Sequence, residues 1–117
     1  MTKFCAKITS IGNSVNDFLK EDMLIVFSKT ADETLKDISA EIKVRCINSE
    51  ILPNDILTIG SYKYKVIYVG ESAYESLKKL GHCTFVFNKR DELLPGQIAL
   101  SGEKPEIQVG DIIEIYE

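Results

Sequence analysis

The sequence predicts an all-β fold: a small closed or partly open β-barrel of about six to eight short strands with two or three short helices. Three observations carry that reading. Several short runs alternate apolar and polar residues with the period of a strand. Turn-forming residues recur between these runs. The stretches with helical spacing are all brief, and closing so small a sheet on itself removes its exposed edges.

The elements follow in order. Phe4, Ala6, Ile8 and Ser10 alternate with Cys5, Lys7 and Thr9, so residues 3–11 form a first strand, ended by Gly12. Asn13 or Ser14 caps a short helix carrying Val15, Phe18 and Leu19 on one face. The continuous apolar run Met23-Leu24-Ile25-Val26-Phe27 has strand length and is expected to be covered on both faces. Thr30 or Asp32 opens a second brief helix with Leu35 and Ile38 inward, and Glu41 to Ile47 alternates again, with Ile42, Val44 and Cys46 on one face.

A weak internal repeat comes next. Leu52-Pro53-Asn54-Asp55 leads into Ile56-Leu57-Thr58-Ile59-Gly60, Leu94-Pro95-Gly96-Gln97 leads into Ile98-Ala99-Leu100-Ser101-Gly102, and Gln108-Val109-Gly110-Asp111 leads into Ile112-Ile113-Glu114-Ile115. Each copy is a turn that launches a strand. Between the copies, Tyr62 to Val69 and Cys83 to Phe87 are strands, with Tyr62, Tyr64 and Tyr68 forming a packing face. They flank a helix from about Ser72 to Leu80, with Ala73, Leu77 and Leu80 on one face and Gly81 as its terminator.

At 117 residues, with 44% hydrophobic and 27% charged residues, residues 1–117 make a single domain able to bury a core. The net charge of −4 and the scattering of Lys and Arg, with no basic run longer than Lys78-Lys79 or Lys89-Arg90, argue against nucleic-acid binding. The longest apolar run is too short to cross a bilayer, and Met-Thr-Lys-Phe-Cys does not begin a secretory signal. Cys5, Cys46 and Cys83 are odd in number and distant in sequence, which reads as buried thiols in a reducing compartment. A cytoplasmic protein without direct membrane insertion is expected.

The chemistry-bearing residues are few. No glycine-rich phosphate loop, Cys-x-x-Cys pair or nucleophile elbow is present, so neither a cofactor nor a metal is expected. His82 is the one histidine and the one side chain suited to act as nucleophile or proton shuttle near neutral pH. A structural role, in which His82 caps the last carbonyls of the preceding helix, stands beside that. Cys83 adjoins it, but strand neighbours point to opposite faces, which argues against a Cys–His pair. Glu33, Asp37 and Asp91-Glu92 read as solvated surface charge.

The order of elements resembles the glucitol/sorbitol-specific enzyme IIA component of the bacterial phosphotransferase system (PTS). The matching stretches are Ile8-Thr9-Ser10-Ile11-Gly12, Met23 to Phe27, Leu52-Pro53 with Ile59-Gly60, and Val66-Ile67-Tyr68-Val69-Gly70. They continue in Leu77-Lys78-Lys79-Leu80-Gly81-His82, Pro95-Gly96 and Gly110-Asp111. The resemblance implies a barrel-like fold and a cytoplasmic phosphoryl carrier in sugar uptake. Such a carrier takes phosphate from an HPr-like phosphocarrier and passes it to the IIB unit, which serves the membrane component IIC.

One departure bears on activity. The family's phosphoacceptor lies in a His-x-His-type segment after the second helix, and the corresponding residues here, Ala40 to Glu50, contain no histidine. His82 matches a Gly-His pair of the family and is the only phosphohistidine available to this chain. Lys43 and Arg45 are candidate contacts for an anion or a phosphorylated partner. Two readings follow: a working IIA-type carrier that uses His82, or a phosphorylation-incompetent IIA-like binding or regulatory protein.

Overall fold

The computed structural model describes residues 1–30, 32–88 and 93–117. Asp91-Glu92 and Lys89-Arg90 lie outside the described residues. Among the described residues there are eight strands and three short helices: β1 (Thr2–Ile11), α1 (Val15–Lys20), β2 (Met23–Phe27), α2 (Glu33–Ile38), β3 (Ala40–Ile47), β4 (Ile56–Ile59), β5 (Tyr62–Val69), α3 (Ala73–Leu80), β6 (Cys83–Phe87), β7 (Gln97–Leu100) and β8 (Ile112–Tyr116). The strands close into a barrel in the order β1-β3-β2-β6-β7-β5-β4-β8. The barrel predicted from the sequence is therefore the observed one. Its interior is filled by the inward residues of every strand, including Phe4, Ile8, Leu24, Ile42, Leu57, Phe85, Ile98 and Ile115.

The internal repeat runs deeper than three turns. In the first half, β1 and β2 are joined by α1 and flank β3; in the second, β5 and β6 are joined by α3 and flank β7. The halves meet at the antiparallel pairs β2–β6 and β4–β8. The parallel pairs β2–β3 and β6–β7 correspond as well. Backbone bonds repeat with the strands. Gly12 donates to Ser39 O (3.0 Å) as Gly70 does to Gln97 O (2.7 Å), and Ser14 donates to Asp37 O as Ser72 does to Pro95 O, both at 2.9 Å.

The repeated turns share one chemistry. Leu52 N–H donates to Asp55 Oδ2 at 2.8 Å, Leu94 N–H to Gln97 Oε1 at 3.1 Å, and Gln108 N–H to Asp111 Oδ2 at 2.9 Å. The fourth residue's side chain thus satisfies the first residue's amide before the strand begins. Asn54 and Gly110, the third residues of the first and last copies, have φ of 77° and 99°, as a type II turn requires.

Several facial expectations are corrected, and bulges account for two of them. Ala6 pairs with Val44 and Cys5 with Cys46, which leaves Arg45 as an extra residue on β3. The strand's parity flips there. Cys46 leaves the face of Ile42 and Val44, and Ile47 takes up the packing against the core. In β5 a similar shift between Val66 and Tyr68 turns Tyr68 out to 48% exposure, so only Tyr64 of the three tyrosines is buried. Cys83 is fully buried, but Cys5 and Cys46 are only half-buried, contrary to the expectation of three buried thiols. The β2 run is sealed on one face by Leu24 and Val26, while Met23, Ile25 and Phe27 stay half-buried. Leu80 is exposed, α2 buries no residue fully, and Asp37 is half-buried, accepting a 2.7 Å bond from Ser14 Oγ. Asp32 caps α2 through Oδ1, which accepts from Leu35 N–H. Among the described residues no helix is long and apolar enough to cross a membrane.

Candidate functional site

His82 is fixed by the end of α3. Gly81 follows the helix with φ 61° and donates its N–H to Leu77 O at 2.9 Å, the left-handed cap that a glycine adopts without strain. A Cβ on Gly81 would stand 2.2 Å from Ser28 Cβ, so steric contact with the end of β2 also demands glycine. The chain then enters β6, and His82 lands beside the last residues of β2.

The His82 ring is held on two sides. Nδ1 lies 3.2 Å from Val26 O, and the ring lies against Phe27, with centroids 4.7 Å apart and a 37° tilt. The cap on α3 comes from the main chain, since the His82 backbone N–H donates to Ser76 O at 3.4 Å, while the imidazole itself bonds to β2. A backbone carbonyl can only accept. In the neutral ring, therefore, the proton sits on Nδ1 and the lone pair on Nε2. His82 is half-buried, and Nε2 is the nitrogen left to act as nucleophile or base.

Phe27 joins His82 to a cavity of about 190 Å³ lined by Ser10, Phe27, Thr30, Lys36, Ser39 and Glu41. This volume lies below the range of roughly 300–1,000 Å³ typical of sites for whole small molecules. The lining mixes hydroxyls with one ammonium and one carboxylate. Glu41 Oε1 accepts from Thr9 Oγ1 at 3.0 Å, and Lys36 sits 3.6 Å from Glu33. The cavity arises because β2 and β3 run parallel, with Phe27 opposite Glu41, and α2 crosses between them. Among the described residues, no group of three or more His, Cys, Asp or Glu side chains is placed to hold a metal ion.

Sequence reasoning found His82 but not Phe27, Lys36, Ser39 or Glu41. The available signal was the strand–helix–strand order over residues 23–47, which a parallel pair requires. Lys43 and Arg45 are exposed on β3, with Lys43 across from Lys7 of β1, and no hydrogen bond or ion pair joins either to His82. Cys83, one residue on, faces the core, and burial raises its thiol pKa well above the usual range, so it offers no thiolate to His82.

Comparison with known proteins matches this architecture. The sequence model of the PTS system glucitol/sorbitol-specific IIA component matches residues 3–114. The PTS system glucitol/sorbitol-specific EIIA components of Shigella flexneri and Escherichia coli (strain K12) are each 30% identical to this chain over 112 residues. Each match covers 92% of this chain and 89% of the relative. The crystal structure of a PTS system IIA component from Enterococcus faecalis V583 superposes with a TM-score of 0.84 at 26% identity, covering 97% of this chain and 99% of that one. Matched along nearly its whole length in both sequence and fold, the chain belongs to the family of PTS glucitol/sorbitol-specific IIA components.

Proposed function

We propose that this protein is a cytoplasmic phosphoryl carrier of a glucitol/sorbitol-type PTS, and that His82 Nε2 is its phosphoacceptor. The observation that carries the proposal is the Nδ1···Val26 O contact, which leaves Nε2 as the nucleophilic nitrogen of the chain's single histidine. In the proposed step, Nε2 attacks the phosphorus of a phosphohistidine on an HPr-like carrier. A bond forms from Nε2 to phosphorus, and the bond from phosphorus to the donor nitrogen breaks. Nδ1–H stays on Val26 O and stabilises the positive charge that the ring gains during transfer. The reverse geometry delivers the phosphoryl group to the IIB unit, which works with the membrane component IIC. The fixed ring holds the nucleophile in place before the donor arrives, which lowers the entropic cost of the encounter.

A second reading has its own observation. Residues 40–50, β3 and the three that follow it, where the family resemblance places the phosphoacceptor, contain no histidine, and Glu41 and Lys43 occupy that part of the strand. On this reading the chain docks PTS components without carrying phosphate. Incubation with enzyme I, HPr and labelled phosphoenolpyruvate separates the two. The carrier reading predicts acid-labile label on the wild type and none on His82→Gln. Absence of label on the wild type, with HPr fully charged, removes the carrier reading.

A further inference from the structure

We propose that Cys5 and Cys46 form a dithiol site on the barrel's outer wall that low-molecular-weight disulfides oxidise to an intramolecular bridge. Cys5 of β1 and Cys46 of β3 are register partners on adjacent antiparallel strands. Opposed residues in such a pair have Cα atoms about 4.5–5.5 Å apart and side chains on the same face. That spacing lies within the 4.4–6.8 Å window that a disulfide needs.

The pairing depends on the β3 bulge. Without the extra residue at Arg45 the register would slip by one, and Cys46 would no longer stand opposite Cys5. Both residues are half-buried and their thiols unbridged, whereas Cys83 is fully buried in the core. Reagents therefore reach the first two thiols and not the third. Proximity also shows in the ionisation of Cys5. Burial raises its pKa most, the Cys46 thiol and the Glu114 carboxylate across on β8 raise it further, and the Arg45 guanidinium opposes them. A thiol so disposed ionises sparingly, so its exchange with a disulfide is slow near neutral pH.

The step balances with a disulfide RSSR as oxidant. One cysteine thiolate attacks a sulfur of RSSR, forming a mixed disulfide and releasing one RS⁻. The second cysteine thiolate then attacks the protein sulfur of the mixed disulfide and releases the second RS⁻. Two protein thiols are oxidised, one RSSR is reduced to two thiols, and the two protons lost from the cysteines end on those thiols. The bridge ties β1 to β3 and closes the chain segment that contains α1, β2 and α2.

The test incubates the native protein with oxidised glutathione, quenches in acid, and measures intact mass and alkylatable thiols under denaturing conditions. The expected product is a monomer lighter by about 2 Da, the two hydrogens lost. It retains one alkylatable thiol of the original three, at Cys83. Peptide mapping is expected to link Cys5 to Cys46. In Cys5→Ser and in Cys46→Ser the remaining surface thiol is expected to hold a stable glutathione adduct, because the resolving sulfur is gone. Three unmodified thiols, stable adducts on the wild type, a bridge to Cys83, or disulfide-linked dimers would each overturn the proposal.

Discussion

At the scale of single residues, two buried polar groups hold the barrel wall. Lys3 and Asp55 are both 5% exposed, and Nζ lies 2.8 Å from Oδ2. The same carboxylate accepts the Leu52 amide, so Asp55 serves the ion pair and the turn before β4 together. Asp55→Ala leaves a buried ammonium unpaired and is expected to cost about 3–5 kcal/mol, read from urea unfolding. Tyr64 is the second group. Its hydroxyl donates to Glu103 O at 2.8 Å, and its ring lies 5.2 Å from that of Phe87. Burial, with Tyr62 adding to it, pushes its phenol up to about 12. The unfolded chain ionises near pH 10, so from about pH 10 upward the unfolded state holds fewer protons than the folded one. The stability tied to neutral Tyr64 is whole below pH 10 and is lost as pH rises through about 12. Tyr64→Phe is expected to cost about 1 kcal/mol at neutral pH and to flatten that alkaline decline, measured by urea midpoints across the pH range.

At the scale of elements, the doubled architecture makes a paired prediction. Gly12 and Gly70 end β1 and β5 at matching places, each pressed against the backbone of the segment that leads to the inserted strand. A Cβ on Gly12 would meet Lys36 O at 2.1 Å, and one on Gly70 would meet Pro95 O at 2.4 Å. These neighbours are backbone atoms and cannot rotate aside. Gly12→Ala and Gly70→Ala are each expected to destabilise by about 1–3 kcal/mol or more, by similar amounts, in the same unfolding assay. The elements themselves were legible in the sequence, because alternation, turn residues, and the apolar or β-branched runs at 23–27 and 83–87 mark the short strands. What was not legible were the register shifts. Arg45 and Ile67 sit in runs that alternate cleanly as text, yet bulges there turn Cys46 and Tyr68 outward. A bulge is set by pairing with the neighbouring strand, and a single strand's pattern does not carry it.

At the scale of the whole molecule, closure of the barrel brings the candidate site together. His82 follows α3 in the second half of the chain, while Phe27, Lys36 and Glu41 come from the first. The β2–β6 seam sets His82 against Phe27, whose other neighbours in the cavity are Lys36 and Glu41. This explains why the sequence exposed the histidine and concealed its surroundings: residue type is visible in a linear text, and contacts across a seam are not. The same seam gives Nδ1 its carbonyl and leaves Nε2 outside that bond, as the proposed phosphoacceptor requires. Imidazole ¹⁵N NMR reads this most directly, because the chain has one histidine and hence one pair of ring nitrogens. The account predicts the Nδ1–H tautomer in the neutral ring of the free protein, and a phosphorylation shift at Nε2 once enzyme I, HPr and phosphoenolpyruvate are added. An imidazole spectrum unchanged in the presence of fully phosphorylated HPr would contradict it.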